Sequence, residues 1–180
     1  VLSYKYEGNY VPLRGKECST QQMPFISEKI PTFEEFANAS IEEIYGEEIV
    51  DAYERKVTSF ESIILINKGE NKFEIEKLPP LAQSIPILTS DSYDINEDGY
   101  EDVIIGGNIY NTEVETPRLD NQFAVILISD KNKNYSTIGP DKSGLYLSGN
   151  TKSLKIVDRK NPKLLVANNN SNLEVFELNK

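Results

Sequence analysis

Two stretches of this chain recur at a common spacing, and that recurrence constrains the fold more than any single residue does. Leu65-Ile66-Asn67-Lys68-Gly69-Glu70-Asn71-Lys72-Phe73 aligns with Leu127-Ile128-Ser129-Asp130-Lys131-Asn132-Lys133-Asn134-Tyr135, about 62 residues on. Each reads as strand, polar turn and aromatic. Val103-Ile104-Ile105-Gly106-Gly107-Asn108 aligns with Leu164-Leu165-Val166-Ala167-Asn168-Asn169 at about the same distance. A repeat of this length is a supersecondary unit that buries its apolar face against its neighbours.

Alternation and β-branched content place strands at 62–67, 73–78, 85–90, 102–107, 123–129, 135–138, 153–158, 163–167 and 173–178. They group as two strands, one four-stranded unit over 85–138 and three strands of another, the rhythm of propeller blades. The expected fold is mainly β: four-stranded antiparallel propeller-type blades forming a partial β-propeller, with a short helical insertion near the N-terminus. Residues 1–61 read as an N-terminal strand plus that insertion (about 32–57), 62–138 as the blade region, and 139–180 as a degenerate C-terminal blade.

The insertion is marked by two capping-box patterns, Thr32-x-x-Glu35 and Ser40-x-x-Glu43. Gly46 suits a helix C-terminus, and 47–57 reads as a further helix with Ile49, Ala52 and Tyr53 on one face and Arg55-Lys56 at its end. Phe33, Phe36, Ile41, Ile44, Ile49 and Tyr53 recur at three- to five-residue intervals and are expected to pack this insertion against the sheets. The glutamates at 34, 35, 42, 43, 47 and 48 read as a solvated face. Tyr4 and Tyr6, with Tyr10 beyond, read as a half-buried strand in preference to a sugar-stacking strip.

The densest chemistry lies in Asp94-Ile95-Asn96-Glu97-Asp98-Gly99-Tyr100-Glu101-Asp102. Oxygen donors stand at alternate positions around one glycine, and hard cations such as calcium take six to eight oxygen ligands. Asp94, Asn96, Asp98, the Tyr100 carbonyl and Asp102 are the candidate metal ligands, with Gly99 allowing the turn between them. An EF-hand needs a bidentate Glu at loop position twelve, where this chain has Ile105. The loop is therefore flanked by strands, and its carboxylates repel one another unless a cation balances them. The alternative is an acidic turn, since Asp, Asn and Gly also form ordinary turns. The second repeat has Asp158-Arg159-Lys160-Asn161-Pro162-Lys163 here, shorter and basic, so one calcium site is expected.

Composition closes off other chemistries. Twenty-nine acidic against nineteen basic residues leave a charge of −10, and no basic run tracks a phosphate backbone, so nucleic acid is not an expected partner. No apolar run approaches the roughly 20 residues that span a bilayer. With no histidine, Ser-His and Cys-His dyads and histidine-ligated zinc are excluded within the chain. Cys18, the single cysteine, forms no internal disulfide and is expected to be a packed, inert thiol.

The calcium loop, together with Val11-Pro12-Leu13-Arg14-Gly15-Lys16-Glu17-Cys18-Ser19, Gln21-Gln22-Met23-Pro24-Phe25-Ile26 and Gly107-Asn108 leading into Thr116-Pro117-Arg118-Leu119-Asp120, resembles the FG-GAP/VCBS-repeat β-propeller family. The likeness is nearest to the C-terminal portion of bacterial surface proteins related to cartilage acidic protein. Blades of that family carry D-x-D-x-D-G-x-x-D loops, and this chain has Asn96 where the family usually has Asp. The resemblance implies a calcium-stabilised, non-catalytic propeller segment of an extracellular or cell-surface binding or adhesion protein, with no catalytic residues. Its expected partners are the remainder of the same propeller or another protein chain, and a glycan ligand. The alternative from another class is part of a polysaccharide-processing enzyme or its glycan-binding subunit, suggested by the abundance of carboxylates. The start has no signal-peptide form, and the sequence reads as a mature product or as an excerpt of a longer chain, the absent initiator Met favouring the latter; its last strand, 173–178, is expected to present an open edge.

Overall fold

The computed structural model describes residues 1–114 and 116–178. It is mainly β, with antiparallel sheets and few helices. The chain divides into two compact units, Val1–Thr58 and Ser59–Lys180.

The first unit opens with an antiparallel hairpin of β1 (Ser3–Tyr6) and β2 (Asn9–Pro12). Its turn residues Glu7 and Gly8 both take positive φ, 47° and 95°, the turn whose twist matches that of paired strands. A strand carrying Tyr4 and Tyr6 is present, but it is not half-buried. All four residues of β1 are exposed, and the half-buried residues of the ribbon, Tyr10 to Pro12, lie on β2.

Helices α1 (Lys16–Gln22), α2 (Phe25–Lys29), α3 (Phe33–Asn38) and α4 (Ile41–Tyr45) follow. Both capping boxes form. The Glu35 N–H donates to Thr32 Oγ1 at 3.1 Å while the Thr32 N–H donates to Glu35 Oε2 at 3.1 Å, and Ser40 and Glu43 repeat the exchange at 3.2 and 2.8 Å. Gly46 ends α4 with φ 77°. Helices α1 and α2 lie outside the expected helical span because Gly15 and Pro24, their N-caps, have no side-chain acceptor to signal a start.

The expected helix over 47–57 is reduced to one 3₁₀ turn, Glu47–Asp51, after which Ala52 is extended at φ −70° and ψ 141°. A helix this short holds only if an apolar face is buried, and Val50 and Tyr53 are each 81 % exposed. The helices build a core of their own from Ile26, Ile30, Phe36 and Ile44, with Met23, Ala39 and Tyr45 against it. Of the six residues expected to pack the insertion, Phe36 and Ile44 are core, Ile41 and Ile49 are half-buried, and Phe33 joins Tyr53 in solvent. The glutamates at 34, 35, 42, 43 and 47 are exposed, and the Glu48 side chain lies outside the described residues.

The second unit contains β3 (Ile63–Asn67), β4 (Phe73–Lys77), the one-turn helix α5 (Pro80–Gln83), β5 (Thr89–Tyr93), β6 (Asp102–Gly106), β7 (Val125–Ser129) and β8 (Tyr135–Ile138). The one-turn helix α6 (Pro140–Ser143) leads to β9 (Thr151–Val157), β10 (Lys163–Asn168) and β11 (Glu174–Glu177). They form a β3-β4 hairpin, a four-stranded sheet β5-β6-β7-β8 and a three-stranded sheet β11-β10-β9. The strand expected at 85–90 is displaced to 89–93, because Pro86 has no N–H to give a ladder and α5 occupies the approach.

The four-stranded sheet is covered on both faces. Ile104 and Ile126 point to one side, among Leu154, Ile156, Leu164 and Val166 of the three-stranded sheet. Ile105, Val125 and Leu127 point to the other, among Leu78, Ala82 and Ile85. That explains the unbroken apolar runs Val103–Ile105 and Val125–Ile128, since a strand buried on both sides has no polar face to alternate with. Each such side chain contributes about 1.5–3 kcal/mol when fully buried.

Gly107 closes β6 at φ 149°, where a Cβ would lie 2.7 Å from Leu88 Cβ and 2.8 Å from the Pro86 carbonyl oxygen. The repeat read from sequence extends to the elements themselves. β3 and β7 begin at Ile63 and Val125, α5 and α6 at Pro80 and Pro140, β5 and β9 at Thr89 and Thr151, and β6 and β10 at Asp102 and Lys163.

Candidate metal-binding loop

Tyr93 and Asp102 are cross-strand partners, so residues 94–101 close the turn between β5 and β6. Inside it the acidic side chains fold inward onto the backbone. Asp94 accepts the Asp98 N–H on Oδ1 at 3.1 Å and the Gly99 N–H on Oδ2 at 2.9 Å. Asn96 Oδ1 accepts the Asp98 N–H at 3.1 Å, and Asp98 Oδ1 accepts the Tyr100 N–H at 2.9 Å. Three side chains two residues apart thus serve the N–H groups of 98–100, with Glu97 at φ 58° and Gly99 at φ 89° supplying the left-handed bends.

Asp102 stands apart from these, fully buried at the start of β6. Its Oδ2 accepts the Ile95 N–H at 3.0 Å and its Oδ1 accepts the Ser129 N–H of β7 at 2.9 Å. A buried carboxylate is costly unless hydrogen-bonded, and these two bonds to backbone donors meet that need. Asp102 therefore ties the loop to the sheet.

The donor chemistry fits a hard cation: Asp94, Asn96, Asp98, the Tyr100 carbonyl and Asp102 are all oxygen donors, and each carboxylate has lone pairs beyond those engaged with N–H groups. In this arrangement Asn96 Nδ2 donates to Asp98 Oδ2 at 3.0 Å. No group of three or more acidic, histidine or cysteine side chains at metal-holding geometry occurs among the described residues.

The corresponding connection of the second repeat lies beside this loop. Arg159 pairs with Glu101 at 2.9 Å and donates to the Ser92 carbonyl at 3.4 Å, while Tyr93 Oη donates to the Arg159 carbonyl at 3.3 Å. Hydrogen bonding to Ser92 and to Arg159 holds the Glu101 carboxyl below the usual carboxylate value. Lys160 and Asn161 N–H groups approach Asp158 Oδ1 at 3.3 and 3.4 Å, a turn held by one carboxylate.

Two polar features were not visible in the sequence because their partners are distant along the chain. Asp91 of β5 bonds to the Ile156 N–H and the Lys155 ammonium of β9, and Thr89 Oγ1 accepts the Leu154 N–H at 3.0 Å. Asn108 is fully buried and donates to the carbonyls of Leu147 at 3.0 Å and Gly149 at 2.7 Å. The tyrosine strip is not assembled: Tyr10 pairs with Lys5 across the hairpin, so it shares Lys5's face and not that of Tyr4 and Tyr6. Cys18 is half-buried. The chain matches no protein-family model, no curated protein and no solved structure.

Proposed function

We propose that this chain is a calcium-stabilised, non-catalytic binding module made of propeller-type blades, belonging to an extracellular or cell-surface protein. The observation that carries the reading is the hydrogen bonding of Asp94, Asn96 and Asp98 onto the N–H groups of 98–100, which wraps these oxygen donors around one turn. In this reading Asp94, Asn96, Asp98, the Tyr100 carbonyl and Asp102 hold the ion, and the ion neutralises carboxylates that otherwise repel. An exposed site with one neutral donor suits the millimolar calcium met by extracellular modules. The absence of histidine supports a non-catalytic role. No helix among the described residues is long and apolar enough to cross a membrane.

The partner in this reading is further repeats of the same kind. Val125 and Leu127 of β7 are buried beneath α5 and its flanks, while Ile63 and Leu65, which occupy the same places in β3, are 40 % and 57 % exposed. A face that is covered in one repeat and open in the other fits a neighbouring repeat.

Thermal melting with excess calcium and with chelator tests the metal. Binding to the folded state alone stabilises by about 2.7 kcal/mol at a hundredfold excess over Kd. The melting temperature is expected to rise with calcium in the native protein and to stay put in Asp98→Ala. Superimposable curves for the native protein in calcium and in chelator would overturn the reading.

A further inference from the structure

We propose that the peptide bonds flanking Lys56 are a proteolytic processing site for a trypsin-like endoprotease, independently of any metal in the β5–β6 loop. Residues 53–62 have no regular secondary structure, and every residue from Asp51 to Glu61 is exposed. Tyr53 is 81 % exposed, Val57 66 % and Phe60 94 %. A protease must thread its substrate as an extended strand, so bonds inside helices, sheets or closed turns are protected until they open. This segment needs no opening.

The chemistry of the cut is set by Arg55 and Lys56, a basic pair in the middle of the exposed run. Among the described residues their side chains meet Tyr53, Glu54 and Tyr10. Arg55 Nε donates to Tyr53 Oη at 2.8 Å and the guanidinium sits 5.2 Å from that ring, while the Lys56 ammonium lies 5.6 Å from the Tyr10 ring and 3.6 Å from Glu54. Exposed contacts of this kind are worth little, so an acidic specificity pocket can take either side chain. Hydrolysis adds one water across the bond: its oxygen goes to the Arg55 or Lys56 carbonyl carbon, the C–N bond breaks, and the released amine takes up a proton.

Arg118 and the lysines of two hairpin turns are less open to attack. Leu119, after Arg118, is tied by two hydrogen bonds to Ile109, at 2.8 and 3.0 Å. Lys68, Lys72, Lys131 and Lys133 lie in or beside hairpin turns closed by backbone hydrogen bonds. A cut at Lys56 falls at the boundary between the two units and removes no residue from the core of either, Ile26, Ile30, Phe36 and Ile44 on one side and the two clusters of the second unit on the other.

The test is limited digestion of the full chain with trypsin, followed by intact mass spectrometry, in calcium and in chelator. The first products are expected to end at Arg55 or Lys56 and to begin at Lys56 or Val57 in both conditions. The Arg55→Gln/Lys56→Gln double variant is expected to lose that cut while cleavage elsewhere keeps its rate. A first cut at any other residue of the native protein, or an early cut in this segment that survives the double substitution, overturns the proposal.

Discussion

The Asp91 carboxylate reaches from β5 to accept the Ile156 N–H of β9 at 2.6 Å, so a side chain takes the place that a neighbouring strand's carbonyl would hold. Lys155 adds an ion pair at 2.9 Å. Burial pushes this carboxyl upward, and the Ile156 N–H and the Lys155 ammonium more than offset it, leaving its pKa below the usual aspartate value.

Asp91→Ala leaves the Ile156 N–H without its partner and is expected to cost about 1–3 kcal/mol in chemical denaturation. The sign with pH follows from a depressed folded pKa. The stabilisation is complete above the unfolded value, about pH 3.9, and fades as pH falls through the lower folded value. Native protein should lose stability over that acid range more steeply than the variant, and equal slopes would remove Asp91 from the account.

Asp102→Ala is expected to destabilise by about 2–5 kcal/mol whether or not calcium is present, because it strips acceptors from the Ile95 and Ser129 N–H groups in a buried site. Denaturant midpoints in chelator separate this anchoring role from metal binding. A cost below about half a kcal/mol, the range of neutral surface changes, would contradict it.

Gly107→Ala is expected to cost about 1–3 kcal/mol or more, since φ 149° strains an L-residue and the new methyl meets Leu88 at 2.7 Å. Leu88→Ala keeps the Cβ and the Pro86 carbonyl that the methyl meets, so that background should recover little of the loss. An unchanged melting temperature for Gly107→Ala alone would show that the turn can relax.

Leu127→Ala and Leu65→Ala remove the same side chain from equivalent places in the two repeats. The first is expected to cost about 2–5 kcal/mol and the second less than about 0.5, because Leu127 is 1 % exposed and Leu65 57 %. Equal losses would mean that Leu65 is covered in solution.

Truncation in the helical unit should follow its core and not its hydrophobic spacing. Phe36→Ala is expected to cost about 3–5 kcal/mol, whereas Tyr53→Ala should stay within about 0.5 kcal/mol, Phe36 being 6 % and Tyr53 81 % exposed. Helical circular dichroism followed through urea unfolding distinguishes the two.

What the sequence made legible was whatever it encodes locally. Thr32 and Glu35, or Ser40 and Glu43, are three residues apart and meet each other whatever the rest of the chain does, so their boxes were readable. The hairpins β3–β4 and β7–β8 were readable for the same reason, their partners lying across a short turn. The alternate donors of 94–102 marked the loop, and the structure brings Asp94 and Asn96 onto the shared Asp98 N–H while Asp98 takes the Tyr100 N–H. Helices α1 and α2 were illegible because no side chain caps them. The segment 47–57 misled because helix-compatible charges and spacing carry no information about whether a partner surface exists. Asp91 and Asn108 were hidden for a different reason: their bonds to Ile156 and to Leu147 and Gly149 join points far apart in the chain.

The cover on both faces of the four-stranded sheet sets an order of opening. Amide protons of β6 and β7, in the middle strands of the middle layer, can exchange with solvent only after one of the flanking layers has lifted away. Those of β11, on the rim of the three-stranded sheet, are released by simple fraying. Deuterium should therefore enter from the two outer layers inward, with Val103–Ile105 and Val125–Leu127 labelled last, and the slowest amides report the free energy of dismantling the whole stack.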